Sequence, residues 1–70
     1  MLANLKAEMV RRNVSRERLA ETLGVSATTV YNKMYGVRPV KPAEKMMICD
    51  ALGVPYTPEV CEYLFMDFER

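Results

Sequence analysis

The sequence has no histidine and no tryptophan, two cysteines, and three glycines. Without histidine, Ser-His-Asp and Cys-His nucleophilic arrangements are excluded, and Cys49 and Cys61 alone leave a zinc site short of its usual four Cys/His ligands. Three glycines spread along the chain form no Gly-rich phosphate loop. Two thiols make a poor disulfide framework and fit a reducing interior better than secretion. No apolar run approaches the roughly 18 residues of a membrane span, and no basic-then-apolar leader opens the chain, so the expected setting is the cytoplasm. Excess charge of one sign is lacking too: ten Lys+Arg stand against nine Asp+Glu, a formal +1. Seventy residues and 8.0 kDa imply one small domain. Half of them are apolar, enough for a core, although a chain this short buries only about 60% of its unfolded surface.

The small net charge hides an asymmetry. Residues 1–45 carry nine bases and four acids; residues 46–70 carry Arg70 and five acids. One part of the molecule therefore attracts a polyanion and the other repels it, which would orient a nucleic-acid binder.

Breaker residues divide the chain into five segments of helical period, with no sustained alternation that would mark a strand. The first spans about 2–12, with Leu2, Leu5 and Met9 on one face, Arg11 and Arg12 complementing the negative helix end, and Asn13 as its stop. The second, 16–23, opens at Ser15, a favoured N-cap, and ends at Gly24, where a left-handed backbone costs little. The third, 27–35, opens at Ser26 and stops at Gly36, with Val30 and Met34 inward. Pro42 suits the first position of a fourth helix, 42–52, whose apolar set is Met46, Ile48, Cys49 and Leu52 and which Gly53 closes. Thr57-Pro58-Glu59 starts a fifth, 58–65, with Val60 and Leu64 inward. The expected fold class is all-α. Met9, Met34 and Met46 read as gap-filling core, and Cys49 as a small core residue.

The connection from Leu23 through Ser26 is too short for antiparallel helices, so helices 2 and 3 must cross steeply, as in a helix-turn-helix. Ala20 allows close approach, Val25 fills the corner and Val30 anchors the second helix of the pair. The outer face of that helix is then free to enter a DNA major groove.

Leu19-Ala20-Glu21-Thr22-Leu23-Gly24-Val25-Ser26-Ala27-Thr28-Thr29-Val30 resembles the helix-turn-helix of the Cro/repressor-like (xenobiotic-response-element) regulators of bacteria and phages. The resemblance continues through Tyr31-Asn32-Lys33-Met34-Tyr35-Gly36 and Ile48-Cys49-Asp50-Ala51-Leu52-Gly53-Val54, and covers roughly residues 4–65. It implies a lambda-repressor-like DNA-binding domain and a sequence-specific transcriptional regulator, a small prophage or bacterial Cro-like repressor. Such regulators often bind as two-fold dimers on near-palindromic double-stranded DNA. The similar overall length favours a complete Cro-type protein over a fragment. In that frame the carboxylates lie on separate solvated faces, which argues against an enzyme, and no cofactor is implied.

The expected base contacts are Ala27 and Thr28, whose methyls can meet a thymine methyl, Asn32, which can bond an adenine edge, and Tyr31, at a base or a phosphate. The expected phosphate contacts are Ser15 and Arg16 at the start of helix 2, with Lys33, Arg38 and Lys41 flanking helix 3. In the family the first residue of helix 2 is often a glutamine, where this chain has Arg16. The family pattern also wants an apolar residue three after Val30, where Lys33 stands, so Met34 is the natural substitute. Were Lys33 to bury its stem, helix 3 would be rotated, and Tyr31, Asn32 and Lys33 would divide differently between groove and core. Thr29 reads as structural, and Arg11 and Arg12 as helix-end charges.

Met47, Tyr63, Phe65, Met66 and Phe68 exceed what a small domain easily buries. They form either a homodimer interface in the C-terminal segment or, for Tyr63, Phe65 and Phe68, a fold-back onto the first helix. A second function class follows from the same surface: a protein-interaction module, antitoxin-like or adaptor, that keeps the helix-turn-helix as scaffold.

Overall fold

Each helix of the computed structural model, which describes residues 1–66, begins and ends on local chemistry. Helix α1 (Ala3–Arg11) starts after Leu2, whose buried side chain enters the core while its N–H donates to the carbonyl of Met34 at 2.7 Å. It ends where Asn13 turns left-handed at φ 57°, a conformation that asparagine tolerates better than most residues. Helix α2 (Arg16–Leu23) is capped by Ser15, whose hydroxyl accepts the Arg18 N–H at 3.1 Å. At its other end Gly24 sits at φ 72°, letting the Val25 N–H reach back to the Ala20 carbonyl at 2.9 Å. Ser26 then caps α3 (Ala27–Met34) by accepting the Thr29 N–H at 3.1 Å. Helix α4 (Pro42–Leu52) follows a loop, and Thr57 caps α5 (Pro58–Phe65) through the Val60 N–H.

Helix α2 packs against α3 and α4, and α1 against α5. Leu5, Leu19, Val30, Ile48, Leu52 and Leu64 lie buried between them. Phe65 is buried, and the Tyr63 hydroxyl donates to Glu8 of α1 at 3.1 Å, so these two rings fold back toward the body of the domain. Phe68 lies outside the described residues.

Met46 departs from expectation: it is 55% exposed. The buried stripe of α4 runs through Ile48, Cys49 and Leu52, and at 100° per residue Met46 falls outside that arc. Met47, its neighbour in sequence, and Met66, just after α5, are also exposed.

Candidate nucleic-acid interface

The short Gly24–Ser26 corner sets the orientation of α3, and α3's own sequence decides which face it shows. Val30, Lys33 and Met34 form the buried stripe. Thr28, Tyr31 and Tyr35 are exposed, while Ala27, Thr29 and Asn32 are half-buried. Ala27 packs partly against the core. The Thr29 hydroxyl lies 3.0 Å from that of Ser26, a contact within the turn. The outer arc of α3 thus holds Thr28, Asn32 and Tyr35, with Tyr31 on its flank. The Asn32 carbonyl is occupied by the Val37 N–H at 2.9 Å, whereas its side-chain amide makes no hydrogen bond among the described residues.

Lys33 requires a correction. It is only 8% exposed, and its ammonium donates to the Pro39 carbonyl at 3.1 Å and to Glu44 Oε1 at 2.9 Å. It takes the inward position that an apolar residue would fill, with its stem in the core and its charge neutralised at the core's edge. A cation engaged in this way is withdrawn from phosphate contact. The same Glu44 oxygen accepts the Lys41 N–H at 2.9 Å. Burial pushes the Glu44 carboxyl up, but the Lys41 N–H, the Lys33 hydrogen bond and the charges of both lysines outweigh it, and the carboxyl sits below its ordinary range. Lys33 therefore ties α3 to the loop and to the first turn of α4, and that loop carries Arg38 and Lys41, both exposed.

Arg11 and Arg12 are likewise turned to internal work. Both ion-pair with Glu8, and Arg12 also donates to the Leu52 carbonyl at the end of α4 at 3.1 Å. Glu8 is itself 6% exposed. The Arg12 hydrogen bond lowers its carboxyl, burial opposes, and the Tyr63 hydroxyl and the two arginine charges lower it further, leaving it below the usual range. The apolar pattern of α1 does not announce this network; the spacing of Glu8, Arg11 and Arg12 at i, i+3 and i+4 is the signal that reveals it.

Four of the remaining cations, Lys6, Arg16, Arg38 and Lys45, line grooves on either side of α3. Arg16, exposed at the first position of α2, holds its guanidinium 5.3 Å from the Tyr31 ring centroid. Together with Lys6, Ser15, Tyr31 and Tyr35 it lines a groove of about 350 Å³ between α1, α2 and α3. The Ser15 hydroxyl is engaged as the helix cap and remains exposed. On the opposite flank of α3, Arg38 and Lys45 line a second groove beside Phe65, with the Lys45 ammonium 5.8 Å from that ring's centroid. Lys6 and Lys45 were not singled out from sequence, because only the fold brings them beside Arg16 and Arg38.

Cys49 is buried; burial and the neighbouring Cys61 push its thiol up, which suits an inert core residue. Among the described residues no cluster of His, Cys, Asp or Glu converges to hold a metal, and no helix is long and apolar enough to cross a membrane.

Neither the curated proteins nor the solved structures contain a match to the chain. A family model does match, over residues 4–64, from within α1 to within α5. On the strength of that match, which takes in the turn at Gly24 and the outward α3, the chain belongs to the Cro/C1-type helix-turn-helix DNA-binding domain family.

Proposed function

We propose that the chain is a sequence-specific transcriptional repressor of Cro type, of phage or bacterial origin, that lays α3 in the major groove of a near-palindromic operator as a two-fold dimer. The observation that carries this reading is the outer arc of α3, where the Thr28 and Asn32 side chains make no hydrogen bond among the described residues, flanked on both sides by exposed cations. Thr28 and Asn32 read base edges, and Ala27 at the entering end offers a methyl to thymine. Arg16 with Ser15 on one flank, and Arg38 and Lys41 on the other, take phosphates. Exposed Met46 and Met47 on α4 and Met66 after α5 support self-association through the C-terminal part of the chain.

Random-site selection followed by titration tests the reading. The expected outcome is a short palindrome with half-sites about one helical turn apart, bound with a log–log salt slope of about 0.9 per phosphate neutralised. Equal, weak binding to every duplex rejects sequence recognition. The same methionines also support the second reading, an interaction module that uses α4 and α5 for a partner protein. That reading is favoured if the chain shows no retention on DNA at low salt.

A further inference from the structure

Helix α3 carries an aromatic pair to which base reading assigns no work. The rings of Tyr31 and Tyr35 are stacked, with centroids 4.3 Å and planes 26° apart. Both remain exposed, at 41% and 44%. Such exposure of two large rings is not core formation. Tyr31 also meets the guanidinium of Arg16, which belongs to a different helix.

The contact has a physical consequence for Arg16. An exposed arginine samples many rotamers, and any phosphate contact must offset the loss of that freedom. A planar guanidinium resting on an aromatic face is held by the ring quadrupole and has already lost much of it. Arg16 is the first residue of α2, where the opening amides precede the first intrahelical bond, from the Leu19 N–H to the Ser15 carbonyl. The restrained cation thus belongs to the residue that opens the positive end of α2.

We propose that Tyr31 is a positioning residue: its ring, stacked on Tyr35, holds the Arg16 guanidinium beside the first turn of α2, so that the cation meets a DNA phosphate already ordered. This rests on the DNA-binding reading above. It replaces the expectation that Tyr31 reads a base, because the ring lies on the flank of α3 and is engaged by Arg16 and Tyr35.

The test uses the full chain and the duplex recovered by site selection, with Arg16→Ala, Tyr31→Leu, the double variant and Tyr31→Phe, each checked for a cooperative melt. Tyr31→Leu is expected to weaken binding about two- to fivefold, to leave base preference unchanged, and to add nothing on the Arg16→Ala background. Tyr31→Phe restores binding, since the ring and not the hydroxyl does the holding. In the free protein the Arg16 side-chain methylene protons are expected to be shifted upfield by the ring in the wild type and in Tyr31→Phe, and to relax to ordinary values in Tyr31→Leu. Additive losses from Arg16 and Tyr31, a loss in Tyr31→Phe equal to that in Tyr31→Leu, a changed base preference, or unshifted methylene protons in the folded wild type would each overturn the proposal. The spectroscopic arm needs no DNA: a ring shift in the free protein together with a site selection that recovers no bound duplex means that the DNA reading has failed and the clamp has no phosphate to serve, whereas DNA binding without the shift rejects the positioning role alone.

Discussion

Replacing Lys33 with methionine separates an internal tie from a DNA contact, because the two roles predict opposite results. Methionine keeps the apolar stem that fills the inward position and removes the ammonium, so the Pro39 carbonyl and Glu44 each lose a donor. Taking one partner from a fully buried ion pair costs about 3–5 kcal/mol. Glu44 is half-buried and keeps the Lys41 N–H, so the lower range for an unsatisfied polar group applies, about 1–3 kcal/mol. At about 4–8 °C per kcal/mol for a domain of this size, the melting temperature should fall by roughly 10 °C. Removing both partners, in Lys33→Met with Glu44→Leu, should recover only part of that loss: no uncompensated charge remains, but the Pro39 carbonyl and the Lys41 N–H are left without their partners. The acid limb gives a second readout. Glu44 titrates lower in the folded chain than in the unfolded one, so its contribution is fully present above the ordinary glutamate value of about 4.3 and is lost as pH falls through the folded value. In Lys33→Met the folded value moves up toward the unfolded one, so that acid-dependent loss should shrink. Calorimetry or circular dichroism measures each of these. A variant as stable as wild type whose DNA salt slope has dropped by about 0.9 would refute the internal role and return Lys33 to the phosphate backbone.

Other perturbations follow from the same geometry. Asn32→Ala should cost about 1–3 kcal/mol on the selected operator and relax one base position, whereas Arg38→Ala should weaken all duplexes alike; identical behaviour in a competition titration would defeat the division between reading and positioning. Gly24→Ala meets no atom within 4 Å, yet it must hold φ 72°, so unfolding titrations should show a loss of about 1–2 kcal/mol from backbone strain alone, with Gly24→Asn milder. Glu8→Gln should lower the melting temperature at neutral pH by weakening the bonds from Arg12 and Tyr63. Because the Glu8 carboxyl is held low in the fold, the wild type loses that contribution as pH falls through the folded value, and the two melting curves should converge in acid; a constant gap down to pH 2 would contradict the ionised network.

Helix boundaries were legible because they rest on local chemistry. Ser15, Ser26 and Thr57 each accept the amide three residues on, and Gly24 takes a left-handed turn, all bonds spanning few residues. The buried positions Leu5, Leu19, Val30 and Leu52 followed from the 3.6-residue period for the same reason. Lys33 was harder to assign. Its residue type and neighbours say solvent, and only the return of Glu44 from α4, eleven residues on, explains why a cation can occupy an inward position. Met46 erred in the other direction: an apolar side chain on a helix whose inward face other residues already fill. The grouping of Lys6 with Arg16, and of Lys45 with Arg38, depends on packing between elements, which no local pattern encodes.

The internal ion pairs also change how the charge of the first 45 residues should be counted. Arg11, Arg12 and Lys33 are spent on Glu8 and Glu44. The bases left are Lys6, Arg16, Arg18, Arg38, Lys41 and Lys45, and the acids left are Glu17 and Glu21. The surplus therefore falls only from +5 to +4 while the number of cations available to phosphates drops by a third. Long-range attraction, which depends on the surplus, is almost unchanged; the salt slope, which depends on the cations that touch phosphates, has a lower ceiling than the raw count of bases implies. A slope per protomer above about 6, the value at about 0.9 each for these six and Arg70, would require Arg11, Arg12 or Lys33 to leave its carboxylate on binding, and the carboxylate left behind, Glu8 or Glu44, would then titrate upward in the complex.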